Sequence, residues 1–411
     1  METYSYRIKL SMGSPTAVKT FNDSVLAGKR KGFSDFELHI KNRKTYSNVC
    51  APIAGVLDYY RKLGLDFIIK YENKDSYVEH TRFDAPLDVG QILKNESGIS
   101  SFDKVWRFSS SEEINILVSS LIFAIRQADV VEEGVLSSLE WCLNEAMDNV
   151  LQHSEVGIGY VMAQLHKNFK QFSVCIFDTG IGIFNSFKNS KYKPVHPLDA
   201  ITLALQEKVT RDDKVGQGNG LWGLSNIIRD AKGRLYISSG GAVYSKQNNE
   251  ERMIKDGHFN LGRDKGTTLI DFQLKYSNKI DIAQALGGYV PIDLWLEDLE
   301  NTSGEIEFQV AELSGGTGTR KAAEQLRNLA LNSLFEGKKK IVLNFLRVNL
   351  ISSSFADELI GKIIARFGIV FFMENFRLAN LTPVNIAVLN RSVQQRMAQM
   401  YYDQQLNFDE E

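Results

Sequence analysis

Glu145, Asn149 and Gln152 recur at spacings of four and three within Leu143–Ser154, which places a carboxylate and two amides on one face of a helix. A carboxylate and an amide one turn apart both offer oxygen ligands. Together Glu145 and Asn149 can hold a hydrated hard cation such as Mg²⁺, which keeps several of its own waters. Glu145 can also polarise an attacking water. The same helix carries an apolar stripe of Leu136, Leu139, Leu143, Met147 and Val150. Taken alone, it also reads as an ordinary amphipathic helix with a solvated acidic face.

Two glycine-bearing segments follow. In Phe177–Ile183 (Phe-Asp-Thr-Gly-Ile-Gly-Ile), Asp178 ends an apolar strand, where its carboxylate can accept a hydrogen bond from an exocyclic amine. Gly180 and Gly182 let backbone approach a flat base with no Cβ in the way, a pattern that suits adenine. A simple Asp-x-Gly turn is the alternative. In Val215–Leu224, glycines 216, 218, 220 and 223 lead into a helix and expose backbone N–H groups to an anion such as a triphosphate. Gly218–Gly223 matches G-x-G-x-x-G. A dinucleotide fold is disfavoured because polar Thr210–Lys214, rather than an apolar strand, precedes it, and no acidic residue follows at about 20 positions. There is no Walker lysine–serine pair, and a flexible glycine loop is the plain alternative.

The elements that must position these residues are readable in outline. Phe36–Ile40 and Asp66–Tyr71 read as strands around a helix over Ala51–Leu63, a βαβ unit. Ser110-Ser111-Glu112-Glu113 opens a helix through Ile122, and a second long helix runs from about Glu132 to Gln152. Gly159–His166 and Phe172–Phe177 form an antiparallel pair. Beyond the lid-like stretch Phe184–Val215 come a helix over Leu221–Ala231 and strands at Arg234–Ser238 and Thr267–Leu274. The polar insert Ser245–Asp264 reads as a loop or long hairpin. The last unit alternates strand Glu305–Val310, helix Lys321–Leu334, strand Lys340–Asn344, helix Ser354–Arg366 and strand Ile369–Glu374. The tail from Arg391 is a terminal helix or frayed. Phe36–Ile40 and Ile341–Phe345 echo each other weakly, as strands followed by a polar turn, a helix and an apolar strand.

Composition narrows the classes. A chain of 411 residues supports two to four domains with ample core. With 43% hydrophobic, 24% charged and 7 Pro it is neither disordered nor collagen-like. Its 48 basic and 50 acidic side chains leave a formal charge of -2, so no global basic field recruits nucleic acid. Cys50, Cys142 and Cys175 are scattered, which argues against a zinc site or disulfide framework. No apolar run is long enough to span a membrane, so the expectation is a cytoplasmic protein.

In order and spacing, the three segments resemble the GHKL ATP-binding superfamily of gyrase, Hsp90, histidine kinases and MutL, over about residues 110–276. Glu145–Asn149 looks like its N box, Asp178–Gly182 like its G1 box and Gly216–Gly223 like its G2 box. Gly266-Thr267-Thr268 is similar to the element that supports the adenine-reading aspartate. The resemblance implies a Bergerat α/β sandwich with a mixed or antiparallel sheet that binds ATP with Mg²⁺. Asn149 and Glu145 would hold the metal, Glu145 would be the general base, and Asp178 would read the adenine amine. Gly180, Gly182, Gly216, Gly218, Asn219, Gly220, Leu221, Thr267 and Thr268 would shape the nucleotide pocket, with residues 184–215 as its lid. His153 reads as structural, and without a sensor or phosphoacceptor helix an ordinary histidine kinase is disfavoured. Lys208, Arg211, Lys214 and Lys265 can approach phosphate or face solvent.

Ile341–Leu359 resembles the STAS-like domains related in pattern to anti-sigma-factor antagonists, in which a GHKL kinase phosphorylates a serine at the start of a helix. Ser353 is the closest positional match, although Ser352-Ser353-Ser354-Phe355 lacks the usual acid and glycine, and a helix cap is the competing reading. The expected organisation is an N-terminal α/β domain over 1–109 with a STAS-like reading, an ATP-binding domain over 110–278, a connector over 279–303, a STAS-like domain over 304–390 and a tail over 391–411. The leading expectation is a bacterial ATPase switch whose nucleotide state governs protein partners through its STAS-like domains, with a homodimer plausible. A serine kinase of the anti-sigma-factor type and a non-hydrolysing adaptor in signalling or defence are the alternatives.

Overall fold

The computed structural model describes residues 5–14, 16–41, 44–73, 76–90, 100–188, 190–207, 220–248, 250–257, 260–261, 266–288, 296, 299–314 and 316–408, with the backbone alone for 400–408. Residues up to Ile122 together with Ser138–Val290 form one compact unit; Phe123–Ser137 and the residues from Pro291 form a second. The chain is mixed α/β, and the described residues form three sheets.

The first unit opens with β1 (Tyr6–Leu10), α1 (Ala17–Arg30), β2 (Asp35–Ile40), α2 (Ser47–Lys62) and β3 (Asp66–Tyr71). The three strands are parallel in the order β1-β2-β3. Alternation along them sends Ile8, Leu10, Phe36, Leu38 and Ile40 into a core with Phe21, Val25 and Ile53 of the helices. The larger sheet has the order β10-β9-β8-β11-β7-β6-β5-β4. Its strands are β4 (Leu87–Asp88), β5 (Val105–Phe108), β6 (Gly159–His166), β7 (Gln171–Asp178), β8 (Arg234–Ser239), β9 (Ala242–Gln247), β10 (Glu250–Ile254) and β11 (Thr268–Lys275). All neighbours are antiparallel except β4 with β5. The polar insert after Ser245 is therefore a hairpin, β9–β10.

Helix α3 (Ser111–Ala128) and helix α4 (Val135–His153) lie between β5 and β6 in the chain. All five residues of the expected α4 stripe are buried. Within the lid-like stretch, the described residues hold two short helices, α5 (Gly182–Phe187) and α6 (Pro197–Ala204). Helix α7 (Gly220–Asp230) follows the glycine segment, and α8 (Ile282–Ala285) is a single turn in the connector, tied to α7 by Asn226 Nδ2 donating to the Ala285 carbonyl at 3.1 Å.

One face of the larger sheet receives α2. A β-carbon at position 55 would stand 2.6 Å from the Phe177 ring and 3.0 Å from that of Tyr160, so only glycine lets α2 seat this closely on β6 and β7. Tyr160, Met162, Cys175, Phe177 and Leu269 accordingly share one core with α2.

The second unit contains β12 (Ile306–Gln309), α9 (Arg320–Gly337), β13 (Ile341–Asn344), α10 (353–367, with a π-turn at Asp357–Gly361), α11 (Ile369–Asn375), β14 (Phe376–Ala379) and α12 (Pro383–Phe408). Its strands are parallel in the order β12-β13-β14. The strand expected at Ile369–Glu374 is instead helix α11, and the strand begins at Phe376. Gly368, at φ 89°, ends α10. The run that follows, Ile369–Met373, buries only Phe372 while Ile369, Val370 and Met373 stay exposed, so its β-branched composition is not matched by strand alternation. The tail is helical from Pro383 to Phe408. Among the described residues, no helix is long and apolar enough to cross a membrane.

Candidate functional site

Asp178 closes β7, paired across the sheet with Gly159 on β6 and Thr268 on β11. It is 3% exposed. Its Oδ1 accepts the Gly180 N–H at 2.8 Å. Burial pushes the carboxyl up to about 7, opposed by the Gly180 N–H and the Thr268 hydroxyl that bond to it. A carboxylate so poised gains from any further donor, because an unpaired buried charge is costly.

The turn after Asp178 admits nothing larger than glycine. A β-carbon on Gly180 would meet the Ser154 carbonyl oxygen at 2.2 Å, and one on Gly182 (φ 77°) would meet Gly266 backbone at 2.8 Å. Backbone bonds lock this turn from three sides. Ile181 N–H donates to Ser154 O at 3.0 Å, Gly266 N–H to Ile181 O at 3.2 Å, and Thr267 N–H to Gly180 O at 3.2 Å. Thr267, buried at φ 34°, is held by Ser239, whose Oγ donates to the Thr267 carbonyl and accepts the Ile183 N–H, both at 2.9 Å. Ser154 and Ser239 are thus part of the site although nothing in the sequence pattern marks them; Ser154 acts through its backbone carbonyl and Ser239 through two bonds of its hydroxyl.

Helix α4 brings Glu145 and Asn149 to its polar face and ends one residue before Ser154. Burial, and then the charge of Asp148, raise the Glu145 carboxyl above its ordinary value. Asn149 Nδ2 is buried and no atom among the described residues meets it in full hydrogen-bond geometry, although its amide pulls the Glu145 carboxyl back down against burial. Such a donor is costly unless a ligand supplies the missing atom. The first turn of α7 approaches from the other side: a β-carbon on Gly220 would stand 1.9 Å from Glu145 Oε1. The N-terminus of an eleven-residue helix therefore lies against the Glu145 carboxyl.

The structure brings Asp178, Gly180, Gly182, Thr267 and Thr268 into one cluster, and Glu145, Asn149 and Gly220 into a second. The two are joined by the Ser154 carbonyl at the end of α4. Leu221 sits in the first turn of α7. Gly216, Gly218 and Asn219, with Lys208, Arg211, Lys214 and Lys265, lie outside the described residues. Among the described residues no group of three or more His, Cys, Asp or Glu side chains could hold a metal ion. Glu145 and Asn149 nevertheless fit a cation such as Mg²⁺ that retains most of its waters. Ser353 lies in the second unit. It is exposed at the start of α10, whereas its neighbour Ser352 is the cap, its Oγ accepting the Phe355 N–H at 3.0 Å and donating to the Gly318 carbonyl at 3.1 Å.

Comparison with known proteins gives likenesses of two kinds, to a family model and to solved structures. Residues 322–385 match the family model of the STAS-like domain of unknown function (DUF4325). Among solved structures, the topoisomerase IV ATP-binding domain of Francisella tularensis, in complex with a small-molecule inhibitor, is similar at 16% identity and a TM-score of 0.21, over 42% of this chain and 42% of that one. The likeness therefore spans less than half of that protein's length. No curated protein matches the chain.

Proposed function

We propose that residues 110–278 bind ATP with Mg²⁺ in the GHKL manner, and that nucleotide state governs protein partners through the STAS-like segment. The observation that carries this reading is Asp178: a buried carboxyl at a strand end, flanked by a turn too tight for any Cβ and braced by Thr268. Its free lone pairs suit the exocyclic amine of adenine. Gly180 and Gly182 would line the base, and Asn149 would donate from its buried Nδ2 to a phosphate oxygen or turn its Oδ1 to the metal. Glu145, whose carboxyl is held above its ordinary value by burial, suits a group that takes a proton from an attacking water. Bound Mg²⁺ would supply charge neutralisation to the phosphates.

A second reading has its own observation. Ser353 is exposed at a helix start while Ser352 does the capping, which leaves the Ser353 hydroxyl available as a phosphate acceptor for a kinase activity.

A time course with γ-labelled ATP and Mg²⁺ separates the readings. Free phosphate that disappears in Glu145→Ala marks an ATPase switch, and label on protein that disappears in Ser353→Ala marks a kinase. ATP bound but intact marks an adaptor, and no binding by the wild type overturns the proposal.

A further inference from the structure

Three polar side chains on α9, Asn328, Asn332 and Glu336, recur at four-residue spacing and so form one ladder along the helix. Each bonds backbone at the junction of α3 and α4, in the last turn of α3, the connecting turn or the first turn of α4. Asn328 Nδ2 donates to the Gln127 carbonyl at 3.1 Å. Asn332 Nδ2 donates to the carbonyls of Arg126 and Asp129 at 3.0 and 2.8 Å, and its Oδ1 accepts the Val131 N–H at 2.9 Å. Glu336 accepts the Gly134 N–H at 3.1 Å on Oε2 and the Ser137 N–H at 3.0 Å on Oε1, where the Ser137 hydroxyl also donates. Asn328 and Asn332 are 2% and 1% exposed, and the Asn332 bonds to Arg126 and Val131 are buried, while those of Glu336 are half-buried.

The groups satisfied are those that a helix cannot satisfy for itself. Arg126 and Gln127 supply two of the last carbonyls of α3, and Gly134 and Ser137 supply two of the first N–H groups of α4. A carboxylate is also the favoured charge at a helix N-terminus. Within the second unit, α9 thus caps the end of one helix and the start of the next. That next helix is α4, which carries Glu145 and Asn149 about three turns further along.

We infer that Glu336 is a positioning residue for α4, and that the STAS-like segment sets the conformation of the nucleotide-site helix by capping its first turn. The inference rests on the nucleotide-site reading of Glu145 and Asn149. Because coupling is reciprocal, occupancy at that site would in turn tighten the cap.

Hydrogen exchange of the full-length protein over residues 130–139, combined with titrations of ATP and Mg²⁺, tests it. In Glu336→Ala, exchange at Gly134–Ser137 should rise about tenfold, as expected for loss of a cap, and nucleotide affinity should fall about threefold or more. Glu336→Gln keeps one acceptor oxygen and should lie between alanine and wild type on both readouts. Glu324→Ala, exposed on the same face but about three turns before Glu336, should match wild type. Unchanged exchange at 134–137 overturns the cap, and faster exchange with unchanged affinity overturns the positioning role. If wild type binds no nucleotide, the site reading falls and the positioning role with it, while the exchange data still decide whether Glu336 caps α4. Should Glu336→Ala fail to fold, the Gln variant against wild type decides both questions.

Discussion

The two three-stranded parallel sheets, β1-β2-β3 and β12-β13-β14, share strand order and direction, yet their helices dock by opposite physics. Helix α2 buries eleven of its sixteen residues and seats a glycine directly on aromatic rings of the larger sheet. Polar contacts line the same seam: Asn48 Nδ2 donates to Asp271 at 3.2 Å, and the Ser47 N–H donates to Gln164 at 2.9 Å. Helix α9 instead reaches for backbone with an amide, an amide and a carboxylate. The first arrangement draws on apolar area and close approach, which are intolerant of volume change. The second draws on a few directional bonds, each replaceable in shape but not in chemistry. One chain topology therefore supports both a packed joint and a capped one.

Four substitutions sharpen or break that contrast, from the largest expected effect to the smallest. Gly55→Leu drives a side chain into Phe177 and Tyr160 and should cost about 3 kcal/mol or more, read as a fall in the urea midpoint. A cost below about 1 kcal/mol would mean that α2 is not tightly seated. Next is Asp271, 2% exposed, whose carboxyl burial pushes up to about 6 against the opposing Asn48 amide and Arg234 charge. Because the fold favours the protonated form, the stabilisation is complete below about pH 4 and is lost as pH rises through about 6, roughly 3 kcal/mol in all. Asp271→Asn should flatten that fall in pH-dependent denaturation curves, and a curve unchanged from wild type would place the titration elsewhere.

Asn332→Ala strands two buried backbone groups and a half-buried one and should cost about 2 kcal/mol. The check is again the urea midpoint, with Asn332→Leu no better than alanine if chemistry rather than volume is at stake. Smallest is Lys338→Ala, which breaks the pair with Glu133 at 2.5 Å. That lysine is 72% exposed, so the change should shift thermal melting by less than the equivalent of about 0.5 kcal/mol.

The elements built on strong periodicity were legible in the sequence. The α4 stripe, the β6–β7 pair and the strand-end position of Asp178 all follow from apolar spacing. The weak echo between Phe36–Ile40 and Ile341–Phe345 corresponds to the central strands of the two parallel sheets. What stayed hidden depends on partners distant in sequence. Asn328, Asn332 and Glu336 carry no signal of their own in the sequence, because their partners lie about 200 residues earlier in the chain. Ser154 and Ser239 contribute one backbone bond or a pair of bonds, which leaves no pattern. Ile369–Met373 misleads because a short apolar run does not by itself choose between helix and strand. Around the site, Asp178, Gly180, Gly182 and Gly220 were legible because glycine is required wherever backbone must come close.

The most direct test of the nucleotide reading is calorimetric titration of ATP and Mg²⁺ at pH 7 in buffers of different ionisation heat. With the Asp178 carboxyl near 7 when free and ionised when bonded to an adenine amine, wild type should release about half a proton per nucleotide bound, tighten as pH rises from 6 to 8, and lose binding in Asp178→Asn. Affinity independent of pH, with no proton released and no loss in Asp178→Asn, would contradict the account.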